Sequence, residues 1–145
     1  MLLTIIGAGP GGYVAAIRAA QMGAAVTVIE EAELGGTCLH WGCIPTKSLL
    51  ASAEALERAR HAADFGVEIP APIGYNLARI QERTAKVIDA QAKGIHAQFK
   101  GRGVKVIRGK GLLIDPHVAR AVQADGTTQD IRSDAIILAT GSRPA

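Results

Sequence analysis

Short runs of consecutive apolar residues alternate with helical patterns in the first third of the chain. Residues 2–6 predict a short buried strand that runs directly into a glycine-rich turn. Alanine-rich helix formers follow at residues 13–21, and residues 25–29 predict a second apolar strand that ends at Glu30. A strand, a turn, a helix and a strand within about 30 residues form a βαβ unit. Such units join parallel strands, so this region predicts a parallel sheet.

Two longer helices are predicted after the second strand. Residues 46–63 have helical spacing, and we expect a further helix from the spacing of Leu77, Ile80, Val87, Ile88 and Ile95. Proline and glycine in residues 65–74 predict a loop between the two helices. The apolar residues that the spacing places on one face of the first helix are Leu49, Leu50, Ala53 and Leu56.

The last third of the chain predicts strands. Residues 104–107 predict a third core strand, and residues 135–138 predict a buried strand that leads into Ala139-Thr140-Gly141-Ser142. Between them, in residues 109–132, short β-like segments alternate with turn signals, which predicts a small meander. The fold class predicted is therefore α/β: a Rossmann-like parallel sheet with a βαβ nucleotide-binding unit, two long helices and a small β-meander.

The glycine-rich turn has the spacing of a dinucleotide-binding site. Gly7, Gly9 and Gly12 fit G-x-G-x-x-G, in which the glycines permit a tight turn, backbone approach to a pyrophosphate and helix–strand packing. The phosphate would lie at the N-terminus of the following helix. Glu30 is placed to accept hydrogen bonds from a ribose hydroxyl. The alternative is a glycine turn without a ligand and a solvated glutamate.

Cys38 and Cys43 indicate redox chemistry, because a stabilising disulfide is unusual in a cytoplasmic protein and no second pair of ligands completes a zinc site. Five positions apart on a regular helix, their Cα atoms would be too distant for a disulfide, so a bond requires Cys38 to lie in a loop or distorted turn. Pro45 suits a first helical turn, so Cys43 would lie at a helix N-terminus, where the dipole favours a thiolate. Lys47 would add positive charge. Inert buried cysteines and a structural bridge are the alternatives.

The composition narrows the function further. The chain has 145 residues, 48% of them hydrophobic and 20% charged, which is typical of one soluble globular domain. Aromatic residues make up only 3% and the net charge is +3, so nucleic-acid binding is not expected. No segment reaches the roughly 20 apolar residues that span a bilayer. We expect a cytoplasmic protein without a membrane partner.

The motifs resemble those of the flavoprotein disulfide reductases over essentially the whole chain. Residues 7–21 are similar to the first helix of that family, and residues 139–142 resemble its second flavin-contacting turn. Gly-Gly-Thr-Cys…Gly-Cys-Ile-Pro-Thr-Lys, residues 35–47, resembles its redox-active disulfide segment. Within the family, the likeness is greatest to the members that oxidise dihydrolipoamide.

The resemblance implies FAD as the cofactor, a redox disulfide between Cys38 and Cys43, and NAD as the final electron acceptor of the parent enzyme. Cys38 would exchange with the dithiol substrate, and Cys43 would pass electrons to the flavin. Implied partners are dihydrolipoyl groups or another dithiol, a second copy of the parent chain, and a 2-oxo acid dehydrogenase complex. The cofactor-binding residues it implies are Gly7, Gly9, Pro10, Gly11, Gly12, Glu30, Gly36, Thr37, Cys38, Lys47, Gly111, Thr140, Gly141 and Ser142.

The resemblance also implies a domain organisation. Residues 1–145 would be the N-terminal part of an FAD-binding domain, with NAD-binding and dimerisation domains absent from this chain, so that the chain alone is inactive. His40-Trp41 departs from the Asn-Val more usual in the family. We expect His40 to be a loop histidine and Trp41 to pack near the disulfide helix. The alternatives are a mercuric or glutathione reductase and a non-catalytic FAD-binding module.

Overall fold

The computed structural model describes residues 1–70 and 72–142, and a four-stranded parallel sheet lies at its centre. A 3-10 helix, Ala62–Phe65, follows the third α-helix. The remaining elements, in chain order, are β1 (Leu2–Ile6), α1 (Pro10–Gln21), β2 (Ala25–Glu30), α2 (Gly36–His40), α3 (Cys43–Arg60), α4 (Leu77–Gly101), β3 (Lys105–Arg108), β4 (Lys110–Asp115), β5 (Val118–Val122), β6 (Thr128–Arg132) and β7 (Ala135–Leu138).

The parallel sheet has the strand order β3-β2-β1-β7, so chain segments far apart in sequence are neighbours. In the register of the central strands, Ile5 of β1 lies between Val28 of β2 and Ile137 of β7. All four strands run the same way, so their carboxyl ends meet at one edge of the sheet. In open α/β sheets, this is the edge at which ligands bind.

Each face of the sheet is covered by a different layer. On one face, Leu3, Ile5, Val26 and Val28 pack with helix residues that include Phe99 of α4. On the other face, the cluster of Ile6, Ile29, Ile107, Ala119 and Ala121 joins the parallel sheet to the antiparallel sheet β4-β5-β6. Successive side chains of a strand point to opposite faces, which explains why neighbouring isoleucines enter different clusters.

The predicted fold class is confirmed, with shifts at several element boundaries. Helix α1 begins at Pro10 rather than at residue 13, because proline is pre-organised for the first helical position. Helix α3 begins earlier, at Cys43, and α4 extends to Gly101, which allows Phe99 to be buried. Strand β3 begins one residue later than predicted. The predictions that β3 is a core strand and that β7 is buried are wrong: both are edge strands, and most of their residues are exposed or half-buried. Within the described ranges, no helix is both long enough and apolar enough to cross a membrane.

The packed face of α3 differs from the one that its leucines suggest. Leu49, Leu50 and Ala53 are exposed, and Leu56 is half-buried. Instead, Ser48 is buried against α4, where its hydroxyl lies 2.9 Å from the hydroxyl of Thr84. The guanidinium of Arg83 donates to both the carbonyl and hydroxyl oxygens of Ser48, each at 3.0 Å. The interface between α3 and α4 therefore includes a buried polar contact.

Candidate dinucleotide and dithiol site

The glycine turn joins β1 to α1 at the carboxyl edge of the sheet. Gly7 has φ +99°, and a Cβ there would overlap the carbonyl oxygen of Ala139, the residue that follows β7. A Cβ at Gly12 would overlap the carbonyl oxygen of Gly7. By contrast, no protein atom lies within 4 Å of where a Cβ of Gly9 would be. Two of the glycines thus allow the chain to pack, whereas Gly9 leaves space for a ligand.

Glu30 is held rigidly at the end of β2. One carboxylate oxygen accepts a hydrogen bond from the Ala8 N–H at 2.6 Å, and the other accepts from the Ala32 N–H at 2.8 Å. The side chain therefore ties the glycine turn to the loop after β2. A carboxylate has about four acceptor positions, so two remain for donors such as ribose hydroxyls.

Two adjoining cavities open beside these residues. Their volumes, about 530 Å³ and about 310 Å³, fall within or near the roughly 300–1,000 Å³ typical of ligand pockets. They share walls formed by Gly7, Glu30 and residues 140–142, and the smaller also includes Gly111. The predicted site residues on the walls of the larger cavity are Gly7, Gly9, Pro10, Glu30, Gly36, Thr37, Cys38, Cys43, Thr140, Gly141 and Ser142.

Three predicted site residues lie away from these walls. Gly12 is buried beneath the turn, and Gly11 is exposed on the first turn of α1. Lys47 is exposed on α3, one helical turn after Cys43. The structure therefore gives Gly12 a packing role, and it places Lys47 where its charge acts on a cysteine.

The two cysteines lie on consecutive helices. Cys38 is in the short helix α2 rather than in the loop or distorted turn expected, and Cys43 is the first residue of α3, so that a helix break at residues 41–42 separates them. His40, expected in a loop, is the last residue of α2. The Gly35 N–H donates to the Ala8 carbonyl at 2.8 Å and so ties this segment to the glycine turn. Both thiols are free, and they line the same cavity. Among the described residues, no group of three His, Cys, Asp or Glu side chains is arranged to hold a metal ion.

The two thiols also interact. A side-chain hydrogen bond with Cys43 raises the pKa of the Cys38 thiol above its usual range, and burial and the nearby charge of Cys43 add to the rise. A hydrogen bond from the Cys43 backbone N–H and the positive charge of Lys47 oppose this shift. Reduced Cys38 therefore remains protonated to higher pH than an isolated cysteine.

Sequence reasoning missed several wall residues, of which Trp41 and Lys110 have the largest side chains that could contact a ligand. Trp41, expected to pack near the disulfide helix, is 66% exposed and lines the larger cavity. Lys110 lines the smaller cavity. Only their positions in the sequence could have indicated these two residues. Trp41 lies between the two cysteines, and Lys110 precedes Gly111.

A parallel α/β sheet, a glycine turn and a pair of thiols on one cavity wall define the class of nucleotide-binding redox proteins. Comparison with known families specifies it further. The family model described as pyridine nucleotide-disulphide oxidoreductase matches residues 1–145, and the chain belongs to this family.

Individual relatives agree with this family membership. The dihydrolipoyl dehydrogenase of Geobacillus stearothermophilus is 41% identical over 140 residues, which cover 97% of this chain and 29% of that protein. A Bacillus subtilis protein of the same name is 42% identical over 140 residues, which cover 97% of this chain and 29% of that protein. The crystal structure of LpdA from Mycobacterium tuberculosis matches with a TM-score of 0.88 and 34% identity, covering 100% of this chain and 32% of its own. The chain thus spans about three tenths of the length of these relatives.

Proposed function

We propose that this chain is the FAD-binding part of a disulfide oxidoreductase that oxidises dihydrolipoamide, with NAD as the final acceptor, through a Cys38–Cys43 redox disulfide. The observation that carries the proposal is that the two cysteines and the glycine turn share one cavity. The domain assignment is part of the proposal: residues 1–145 are the N-terminal part of an FAD-binding domain. In this proposal, NAD binding and dimerisation belong to other domains of the parent enzyme. This chain alone would therefore not catalyse the complete reaction.

The cavity walls fit FAD. The space beside Gly9 allows a pyrophosphate to approach the backbone, and α1 begins there without a capping side chain. The first N–H groups of a helix have no intrahelical partners and attract anions. Glu30 would hold the adenosine ribose, and Gly111 in the smaller cavity would lie at the adenine end. This arrangement would leave the part of the larger cavity that contains the cysteines for the flavin ring.

The chain's own chemistry is thiol–disulfide exchange. A substrate thiolate attacks the Cys38 sulfur, the Cys38–Cys43 bond breaks, and Cys43 leaves as a thiolate at the N-terminus of α3, where the helix dipole stabilises it. The second substrate thiol then attacks the substrate sulfur of the mixed disulfide. The substrate closes into a cyclic disulfide, and Cys38 is released as a thiol. Two electrons and two protons have moved from the substrate dithiol to the cysteine pair. FAD, when bound, would supply the acceptor for these electrons, with NAD⁺ as the final acceptor.

The physiological setting is proposed on the same basis. Dihydrolipoyl groups fit as substrates because two linked thiols can close into a cyclic disulfide as the protein disulfide opens. Relatives named dihydrolipoyl dehydrogenase support this choice. We propose a cytoplasmic parent enzyme that is a homodimer and docks onto a 2-oxo acid dehydrogenase complex.

The absorption spectrum of the flavin tests the function directly. The chain is oxidised, incubated with FAD, freed of unbound ligand, and titrated anaerobically with dihydrolipoamide. We expect a retained flavin band that dihydrolipoamide bleaches in the wild type but not in Cys43→Ser, which keeps the glycine turn. Loss of flavin from the wild type would contradict the proposal. Retention without bleaching would indicate the non-catalytic module, and bleaching by glutathione but not by dihydrolipoamide would indicate a glutathione reductase.

A further inference from the structure

The only tryptophan of the chain is exposed on a cavity wall rather than packed in the core. Trp41 is 66% exposed, yet it lines the larger cavity together with Cys38 and Cys43. A large aromatic side chain gains most from burial, so one left open inside a concave site indicates a contact with a ligand.

The exposure of Trp41 does not come from a loose segment. Its backbone N–H donates to the Thr37 carbonyl at 2.9 Å and closes the end of α2. The neighbouring His40 ring bonds through Nε2 to the carbonyl of Leu34, also at 2.9 Å, and Leu34 is buried in the core. The His40 and Trp41 rings are 5.3 Å apart with an interplanar angle of 46°, a tilted contact. Hydrogen bonds therefore hold the backbone that carries the indole in place.

The position of Trp41 identifies the part of the ligand that it would meet. Gly9 and Glu30 would take the pyrophosphate and ribose, and Gly111 would lie at the adenine end. Trp41 directly follows α2, lies between Cys38 and Cys43 in the chain, and lines the same cavity as both cysteines. We propose that Trp41 is a cofactor-binding residue whose indole packs against the flavin ring; this rests on the proposed function.

Affinities for FAD and for ADP test this proposal, because ADP has the adenosine and pyrophosphate but no flavin. Dissociation constants are measured by equilibrium dialysis for the wild type, Trp41→Ala and Trp41→Phe. Phe65→Ala is the matched control, since Phe65 is 84% exposed and lies on the 3-10 helix outside the cavity walls. Loss of one stacking contact corresponds to roughly tenfold weaker binding.

We expect Trp41→Ala to bind FAD roughly tenfold more weakly and ADP as the wild type does. Trp41→Phe should lie between the two, and Phe65→Ala should match the wild type for both ligands. Equal affinity of the wild type and Trp41→Ala for FAD, or an equal loss of affinity for FAD and ADP, would overturn the role of Trp41. Either result would leave the proposed function standing. Failure of the wild type to bind FAD would overturn the proposed function together with this inference.

Discussion

Gly7 and Gly9 belong to one sequence motif, but each is a glycine for a different physical reason. Gly7 is required by the protein, because its positive φ and the Ala139 carbonyl leave no room for a side chain. Gly9 has an extended backbone that any residue can adopt, with open space around it. A side chain at Gly9 would thus fill only the space that a ligand needs.

Paired substitutions should separate these two reasons. We expect Gly7→Ala to lower the free energy of unfolding by about 2–4 kcal/mol, from backbone strain and overlap. Gly9→Val should lower it by no more than about 1 kcal/mol, the cost of a poorer helix cap, while abolishing FAD retention. Urea unfolding and flavin absorbance measure the two effects. A Gly9→Val protein that still holds FAD would exclude the pyrophosphate site.

The cysteine pair predicts a pH dependence. The hydrogen bond with Cys43 is the largest cause of the raised pKa of Cys38, so Cys43→Ala should lower that pKa. Lys47 lowers the pKa of Cys38, so Lys47→Met should raise it further. Alkylation of reduced Cys38 by iodoacetamide should therefore begin at lower pH in Cys43→Ala and at higher pH in Lys47→Met than in the wild type. Tandem mass spectrometry assigns the modified cysteine, and superimposable profiles would contradict the coupling.

At the scale of elements, the contact between α3 and α4 depends on a buried hydroxyl pair. Ser48 and Thr84 are both less than a tenth exposed, and Arg83 completes the contact. Thr84→Val keeps the shape of the side chain but removes one partner of Ser48. A buried polar group that loses a partner costs about 1–3 kcal/mol.

A double-mutant cycle tests the importance of this pair. We expect Thr84→Val to lower the free energy of unfolding by about 1–3 kcal/mol, and Ser48→Ala with Thr84→Val to cost less than the sum of the single changes. The reason is that the double variant removes both hydroxyls, so neither is left buried without the other. Additive costs in urea unfolding would show that the two hydroxyls do not act together.

At the scale of the whole molecule, the candidate site joins segments from both ends of the chain. The glycine turn follows β1, Glu30 ends β2, the cysteines lie on α2 and α3, and residues 140–142 follow β7. A ligand in this cavity would bind only the assembled fold. Ligand binding to the folded state alone stabilises it by mass action.

FAD should therefore protect the chain against heat. At about 100 times its dissociation constant, we expect FAD to add about 2.7 kcal/mol and to raise the melting temperature by roughly 5–10 °C. Differential scanning calorimetry measures this shift, with Gly9→Val as the control that should show none. An equal shift in Gly9→Val would mean that FAD binds elsewhere on the protein.

The sequence alone determined the features that depend on neighbouring residues. The continuous apolar runs of β1 and β2 predicted buried parallel strands, because a strand covered on both faces has no polar side. The run of β7 predicted the strand but not its exposure, because the sequence does not show that β7 lies at the edge of the sheet. The glycine spacing and the cysteine segment likewise indicated the family, since each motif is complete within a few residues. Helix boundaries were less well predicted, because proline and glycine at Pro10 and Gly42 allowed helices to begin earlier.

Only the tertiary structure decided which side chains meet across long separations. Leu49 and Leu50 look like a core face, yet both are exposed, and Ser48 is instead buried against Thr84 of another helix. Trp41 looks like a packing residue, yet the anchoring of α2 leaves it on the cavity wall. Local patterns fix what a segment can form. Which of its faces is buried depends on partners that the fold brings from elsewhere in the chain.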